Sequence, residues 1–340
     1  MNIKNQKELA RAKKLVKKGE VLEAKKLYKK ILKEFPLNQE AKNAFDELAQ
    51  KKTLTRPSQI QIDSVMSLYS DGKMQQAINS IEDLIKNHPS EPLLFNICGA
   101  CYLATTQLNL AAKSFEKATE LKPDYAAAHY NLGVALQGLN QLDSAVECYK
   151  KAIAINPAYP DAHNNLGLIL LNSQQLNNAV EHFEWALAYK PDFSAAHNNL
   201  GAVLQELRRF DESIESYERA VKINPSYAQA HHNLGISFQV LGDQAASIKH
   251  YEKALLIKPD YAQVHQNLSV QKKYTKNDPH ISTMENLLSK GQLTDSDRIF
   301  LSFALAKAYD DIGKPNELFK TLDEANALRK KQLNYSLEKS

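Results

Sequence analysis

The chain has 340 residues, of which 11 are glycine. It contains 43 Lys and Arg and 39 Asp and Glu, which gives a net charge of +4. Glycine at about 3%, against the roughly 7% typical of proteins, favours an all-helical chain over the glycine-rich loops of nucleotide-binding α/β enzymes. Three cysteines and no apolar run of ~18 residues argue against a disulfide framework and a membrane span, so we expect a cytoplasmic protein with no membrane partner.

The first predicted segment, residues 1–57, is a basic, divergent repeat followed by an extra helix and a linker. Residues 1–36 carry twelve Lys or Arg against four Asp or Glu, a charge that could attract RNA or an acidic partner. Because the lysines alternate with Leu, Ala and Ile at helical spacing, we interpret them as a solvated helix face and predict no specific nucleic-acid partner. Four residues keep repeat spacing here: Gly19, Ala24, Tyr28 and Pro36. Residues 39–50 then predict a helix, and residues 53–58 a linker.

From residue 89 onward the chain carries a 34-residue repeat. Proline recurs at this spacing, at Pro89, Pro123, Pro157, Pro191, Pro225 and Pro259. Numbered from each proline, alanine recurs at +5 and +29, leucine at +9, glycine at +10 and an aromatic residue at +26. The residues at +5 and +9 lie one helical turn apart, and proline ends a helix because it lacks an amide hydrogen. The pattern predicts two antiparallel helices per repeat, and such pairs must stack to bury their apolar faces.

These residues resemble the tetratricopeptide repeat family, whose unit is a 34-residue helix-turn-helix ending in proline. The resemblance implies an all-α fold, a right-handed superhelical solenoid with a concave groove. We expect the main superhelix over residues 58–275. Its clear repeats are residues 92–125, 126–159, 160–193, 194–227 and 228–261. A weaker repeat, residues 58–91, lacks glycine at +10.

The last predicted segment, residues 276–340, is an irregular connector followed by a helix pair. Repeat spacing returns at Ala306, Tyr309, Gly313 and Ala325. The run from Phe303 to Gly313 resembles the segment that joins repeats to the catalytic domain in bacterial tetratricopeptide-repeat sulfotransferases. Those enzymes need a phosphate-binding loop after a strand, and the sequence has no such pattern. The alternative interpretation is therefore the substrate-recruiting part of a larger transferase whose catalytic domain is absent from this chain.

A column of asparagines at +8 is the strongest candidate binding site. It comprises Asn131, Asn165, Asn199, Asn233 and Asn267. Each asparagine precedes the core leucine and is rotated about 100° from the buried face. Similar repeats in O-linked N-acetylglucosamine transferases imply that this column lines the concave surface and holds the backbone of an extended peptide. A carboxamide suits that task because it both donates and accepts; the alternative is that the asparagines bridge neighbouring helices.

Uncharged polar residues flank this column and complete the predicted groove. They are Tyr130, Asn164, Asn198, His232 and Gln266 at +7, and Gln137, Gln205 and Gln239 at +14. Such a groove lacks the Lys and Arg that carboxylate-clamp repeats use. We expect Ala at Asn165, Asn199 and Asn233 together to weaken peptide binding and to leave stability nearly intact.

Three other patterns are interpreted as packing or as isolated anchors. A histidine column at +6 comprises His129, His163, His197, His231 and His265. Adjacent helices lie ~8–10 Å apart, too far for neighbouring repeats to share one zinc ion at ~2.1 Å. Cys98 and Cys101 lie inside a predicted helix with no second cysteine pair, so we assign them to the core. We interpret Trp185 as an exposed anchor on the convex side.

No catalytic grouping, cofactor motif or metal motif stands out from the repeat. The sequence therefore predicts a protein-interaction scaffold that binds protein or peptide segments, without an active site of its own.

Overall fold

The computed structural model describes residues 3–17, 21–50, 56–291 and 293–333. These residues form nineteen α-helices and contain no β-strand, and the chain divides into two units, Met1–Gln141 and Leu142–Ser340. Within each unit, most consecutive helices pack against one another in chain order. The predicted all-α class of stacked helix pairs is confirmed.

Eight helices belong to the first unit and eleven to the second, among the residues described. Those of the first unit are α1 (Ile3–Lys17), α2 (Val21–Glu34), α3 (Gln39–Gln50), α4 (Gln59–Ser70), α5 (Met74–Asn87), α6 (Pro92–Ala104), α7 (Leu108–Leu121) and α8 (Ala126–Gly138). Those of the second are α9 (Leu142–Ile155), α10 (Pro160–Asn172), α11 (Leu176–Tyr189), α12 (Ser194–Glu206), α13 (Phe210–Ile223), α14 (Ala228–Val240), α15 (Gln244–Ile257), α16 (Ala262–Gln271), α17 (Pro279–Ser289), α18 (Asp295–Asp311) and α19 (Pro315–Gln332).

Glycine and the aromatic residue of each repeat fit together as the pattern predicts. A Cβ added to Gly201 would lie 2.7 Å from the ring of Tyr217, and one added to Gly235 would lie 2.4 Å from the ring of Tyr251. Neither distance is possible for real carbon atoms, so only glycine lets the first helix approach the aromatic ring of the second. Both rings are almost fully buried.

In the weaker repeat, residues 58–91, different residues fill the contact between the first and second helices. Val65 stands at the glycine position and Ile81 at the aromatic position, and both side chains are buried in one core. A larger residue on one helix is thus matched by a smaller one on the other, which conserves core volume.

The N-terminal helices form a small core around the residues predicted there. Ala24 and Tyr28 are buried with Ala41 of α3, so the predicted extra helix is confirmed and packs on the first pair. The basic face carries ion pairs, among them Lys30–Glu8 at 2.9 Å. Gly19 and residues 53–55 of the predicted linker lie outside the described residues.

The predicted irregular connector contains helix α17, so that part of the prediction is wrong. Asp278 caps the helix by accepting a hydrogen bond from the amide of His280, and Pro279 occupies the first turn. Ile281 and Met284, three residues apart, are buried against Leu301 of α18. The helix has eleven residues, too short for its periodicity to stand out in a polar stretch.

Candidate peptide-binding surface

The +8 asparagines lie on the first helices of the repeats and are half-buried. In the second unit these helices are α10, α12, α14 and α16. Helix α12 contacts α10 and α14, and a side-chain contact joins α16 to α14, so the +8 residues form a row. In the first unit, Asn131 occupies the same position on α8.

Each asparagine of the row is hydrogen-bonded, and most bonds reach the preceding repeat. The Nδ2 of Asn199 donates to Oδ1 of Asn164 at 2.9 Å, and that of Asn233 donates to Oδ1 of Asn198 at 3.0 Å. Asn267 continues the series by contacting Nε2 of His232 at 2.9 Å. We call Asn165, Asn199, Asn233 and Asn267 with these bonds the asparagine ladder.

Two asparagines differ in their surroundings. Asn165 begins the ladder and donates to the hydroxyl oxygen of Tyr149 at 3.4 Å. Asn131, in the first unit, donates to Oδ1 of Asn96 at 3.0 Å, which is the same +8 to +7 contact. The pairing therefore recurs in both units.

The +7 residues lie beneath the ladder and act as its acceptors. Asn164, Asn198 and His232 are 6%, 6% and 2% exposed, so their own surface offers little to a ligand. Burial lowers the pKa of His232 to about 4, and the ring is therefore neutral at pH 7 and free to accept. Tyr130 and Gln266, also at +7, are half-buried.

Two of the three +14 glutamines accept a hydrogen bond from the aromatic residue of the same repeat. Tyr217 donates to Oε1 of Gln205 at 3.0 Å, and Tyr251 donates to Oε1 of Gln239 at 2.7 Å. These bonds hold the glutamine side chains and leave the amide NH₂ groups directed away from the phenol. Gln205 is half-buried and Gln239 exposed; Gln137, in the first unit, is half-buried.

The histidine column has the packing role that the sequence predicts. For each of the five histidines of the column, Nε2 contacts the carbonyl oxygen of the repeat proline six residues earlier. These distances are 2.9 Å for His129, 3.1 Å for His163, 2.9 Å for His197, 3.2 Å for His231 and 2.8 Å for His265. The contact joins the loop that ends one repeat to the helix that begins the next.

The cysteine pair belongs to the core, as predicted. Cys98 and Cys101 are buried and free. Burial raises the pKa of the Cys98 thiol to about 11, so the reactive thiolate is scarce at neutral pH. Trp185 is 46% exposed and its ring stacks on Tyr189 with 5.9 Å between centroids.

Sequence reasoning missed two histidines that face the +6 column. Nδ1 of His182 lies 3.0 Å from Nδ1 of His163, and Nδ1 of His250 lies 3.2 Å from Nδ1 of His231. Both stand at +25 on the second helix, so an alignment of the repeats at that position would have shown that the histidine recurs. In the part of the chain that is described, no group of three or more His, Cys, Asp or Glu side chains converges on a metal position.

Comparisons with family models identify the repeats. Models described as TPR repeat match residues 99–140 and 138–174, and models described as tetratricopeptide repeat match residues 160–193 and 192–260. They describe the repeats alone and do not support the resemblance to sulfotransferases or to O-linked N-acetylglucosamine transferases. A comparison with curated proteins gives no match. None of the described helices combines the length and apolar character needed to cross a bilayer.

Two solved structures with TM-scores above 0.5 agree on the fold, and a third is similar over about half of this chain. The APC/C hetero-tetramer Cut9-Hcn1 is 18% identical, with 88% of this chain and 55% of that chain covered and a TM-score of 0.57. PilF of Pseudomonas aeruginosa is 17% identical, with 63% and 96% covered and a TM-score of 0.57. YrrB, described as a TPR protein with an unusual peptide-binding site, is 20% identical, with 53% and 93% covered and a TM-score of 0.46. The family models identify residues 99–260 of this all-α repeat protein as tetratricopeptide repeats.

Proposed function

We propose that the ladder face of the second unit binds an extended segment of a partner polypeptide, so that the protein acts as an interaction scaffold. The observation that carries the proposal is the row of half-buried carboxamides, each fixed by a bond to a neighbour. Tetratricopeptide repeats as a class bind proteins or peptides, which agrees with this function.

The ladder bonds leave hydrogen-bonding capacity for a ligand. Asn199 uses one N–H toward Asn164, and its oxygen accepts from Asn198 at 3.4 Å; Asn233 accepts in the same way from Gln229 at 3.1 Å. A carboxamide has two N–H donors and two oxygen lone pairs. Each of these two asparagines therefore retains a donor and an acceptor, the pair that a peptide unit needs.

The same bonds prepare the side chains for binding. A free asparagine would lose side-chain entropy when a ligand fixes it, a cost of about 0.5–1.5 kcal/mol for an immobilised side chain. The contacts of Asn199 and Asn233 with the preceding repeat hold each rotamer before a ligand arrives. Binding then costs less free energy.

The spacing of the ladder suits an extended chain. First helices of successive repeats lie ~8–10 Å apart, and an extended peptide rises about 3.3 Å per residue. One asparagine can therefore meet about every third peptide unit. Because carboxamides recognise the backbone and the +7 and +14 positions carry no formal charge at neutral pH, we propose binding that tolerates many ligand sequences.

The ladder changes what a substitution test must include. Alanine at Asn165, Asn199 and Asn233 would remove bonds between helices as well as groove contacts, so we now expect that triple variant to lose stability. The expectation of unchanged stability is thus revised, because the sequence could not show the bonds to Asn164 and Asn198.

A matched pair of variants separates the two roles. Asn199→Ala and Asn164→Ala break the same hydrogen bond from opposite ends, but only Asn199 is accessible enough to touch a ligand. Linear 12-residue peptides would be selected on the full chain from a displayed library, and their affinity measured by fluorescence anisotropy. We expect Asn199→Ala to weaken binding about tenfold, one hydrogen-bond pair at about 1.4 kcal/mol, and Asn164→Ala to weaken it much less.

Two outcomes would contradict the proposal. Equal losses in both variants would mean that the ladder acts only through the stability of the stack. Full affinity in Asn199→Ala, with selected peptides protecting another surface from hydrogen exchange, would place the binding site elsewhere.

A further inference from the structure

Two histidine pairs in the second unit have the same unusual geometry. Nδ1 of His163 lies 3.0 Å from Nδ1 of His182, and Nδ1 of His231 lies 3.2 Å from Nδ1 of His250. The rings are tilted by 42° and 32° with centroids 5.2 and 5.4 Å apart. The pairs stand at equivalent positions two repeats apart, so the arrangement belongs to the repeat.

The first histidine of each pair has a defined protonation state. Nε2 of His163 lies 3.1 Å from the carbonyl oxygen of Pro157, and Nε2 of His231 lies 3.2 Å from that of Pro225. A carbonyl only accepts, so Nε2 carries the proton and Nδ1 presents a lone pair toward its partner. Two lone pairs at 3 Å repel, and the second nitrogen must therefore bring a proton or share a metal ion.

A third repeat shows that the second histidine is not needed for the fold. His197 keeps the contact to the carbonyl oxygen of Pro191 at 2.9 Å. The residue at +25 there is Ser216, whose hydroxyl donates to the carbonyl oxygen of Glu212. The helix pair α12 and α13 forms with serine at this position, so a histidine is not required there for the helices to pack.

We propose that His163–His182 and His231–His250 are each a two-imidazole site for a divalent transition-metal ion of the copper, nickel and zinc group. Imidazole is a preferred ligand of these ions. With metal–nitrogen bonds of about 2.0–2.1 Å, nitrogens 3.0–3.2 Å apart subtend an angle of about 91–106° at the ion. That angle is compatible with adjacent positions of tetragonal Cu²⁺ and close to those of tetrahedral Zn²⁺.

The surroundings favour neutral, oriented ligands. A hydrogen bond from the distal N–H to a backbone carbonyl is the usual support of a metal-binding histidine. Burial lowers the pKa of His163, His182 and His231, and lowers that of His250 to about 4, so all four rings are neutral at pH 7. Charged neighbours are Glu181 and Lys150 at the first pair and Lys249 and Lys253 at the second.

Metal binding requires no net loss of protons. When the ion bonds to both Nδ1 atoms, the proton of His182 or His250 moves from Nδ1 to Nε2 through solvent, and both rings stay neutral. His182 and His250 are half-buried, which gives the ion and water access. Because no third protein ligand converges among the described residues, water or a partner's group completes the coordination.

The pair His265–His280 differs from the other two because both nitrogens of its second histidine are already engaged. Its Nδ1 and Nε2 lie 2.6 Å apart, but Nδ1 of His280 is also 2.8 Å from the hydroxyl of Tyr274. Both nitrogens of His280 are thus engaged, and an ion would have to break a complete relay of hydrogen bonds.

The position of Trp185 gives a direct readout for the first site. It is the single tryptophan of the chain, and its ring centroid lies 6.4 Å from that of His163. Cu²⁺ quenches tryptophan fluorescence at short range, whereas Zn²⁺ does not. Titration of the full-length protein with Cu²⁺ in glycine buffer should quench Trp185 in a saturable way. Because Zn²⁺ binds imidazole less tightly than Cu²⁺, a large excess of Zn²⁺ should restore the emission.

Serine substitutions that copy Ser216 test each site separately. We expect His182→Ser to raise the Cu²⁺ concentration that gives half-maximal quenching at least tenfold. His250→Ser should leave that concentration unchanged. Calorimetry of His250→Ser should show one bound Cu²⁺ ion per chain where the wild type binds two. Circular dichroism of each variant checks that the helices persist. Quenching in His182→Ser equal to that of the wild type, or two ions still bound by the double variant, would show adventitious binding and overturn the proposal.

Discussion

His232 is the one buried histidine at the +7 position of the ladder, where two neighbouring repeats have asparagine. Its Nε2 contacts Nδ2 of Asn267 at 2.9 Å, and its Nδ1 contacts the hydroxyl of Tyr261 at 3.2 Å. A protonated ring has only donors, so acid removes the acceptor that the amide of Asn267 needs. A single residue thus makes one contact of the ladder sensitive to pH.

The variant His232→Asn should reduce the acid sensitivity of the protein. Burial lowers the pKa of His232 from 6.5 to about 4, so the unfolded chain binds the proton more tightly, and stability falls as the pH drops from 6.5 toward 4. Between pH 7 and pH 5 the wild type should lose about 2 kcal/mol more than the variant.

Urea denaturation at both pH values measures this difference. His250 and His280, whose pKa values are also lowered to about 4 by burial, remain in both proteins and cancel in the comparison. Equal pH dependence of the two proteins would show that His232 does not contribute.

At the scale of the helix pair, the turn between first and second helix adopts one conformation in every repeat. The second residue after the first helix has a left-handed backbone, with φ from 58° to 80°, in six repeats, and these residues lie 34 positions apart. These residues are Gly72, Thr106, Asn140, Gln174, Arg208 and Gly242. Around Thr106, the amide of Gln107 donates to Tyr102 at 2.9 Å and that of Thr106 donates to Leu103 at 3.0 Å. This pair of bonds closes the helix end, and it imposes a conformation that glycine adopts most easily.

Thr106→Gly should therefore stabilise the first unit. A side chain in the left-handed region destabilises the folded state by about 1–2 kcal/mol, most for a β-branched residue. Glycine removes this cost but gives the unfolded chain more conformational entropy, which lowers the free energy of unfolding by about 0.4–1 kcal/mol. We expect a net gain of up to about 1 kcal/mol, and nearly none for Asn140→Gly because asparagine tolerates this conformation. Thermal unfolding of both variants checks the order, and a loss of stability in Thr106→Gly would contradict it.

The sequence predicts helix pairs well and contacts between them poorly. Proline, glycine and the aromatic residue at fixed positions specify α6 to α15, because each acts through its own backbone or volume. The bond from Asn199 to Asn164 spans 35 residues and the contact of His163 with His182 spans 19. Both depend on how one helix is rotated against another, which a periodic pattern does not give. Helix α17 was missed because its apolar contacts are with α18 and not within a repeat.

At the scale of the second unit, stability is a sum of contacts between neighbours in the stack. Each helix contacts mainly the ones before and after it, and α16 ends the row by packing against α18. The core of this end contains Tyr274, Met284 and Leu301. In such a solenoid, a destabilising substitution at one end lowers the stability of the adjacent helices first.

Leu301→Ala should open the end of the stack while the central repeats stay folded. Leu301 is fully buried, so its truncation should cost about 2–5 kcal/mol. Hydrogen exchange should show faster opening of α18 and α19 with α10 to α13 still protected. Leu166→Ala, at a site 1% exposed within α10, is the control and should open the centre. If Leu301→Ala speeds exchange equally from α9 to α19, the unit unfolds as one block, and the additive description fails.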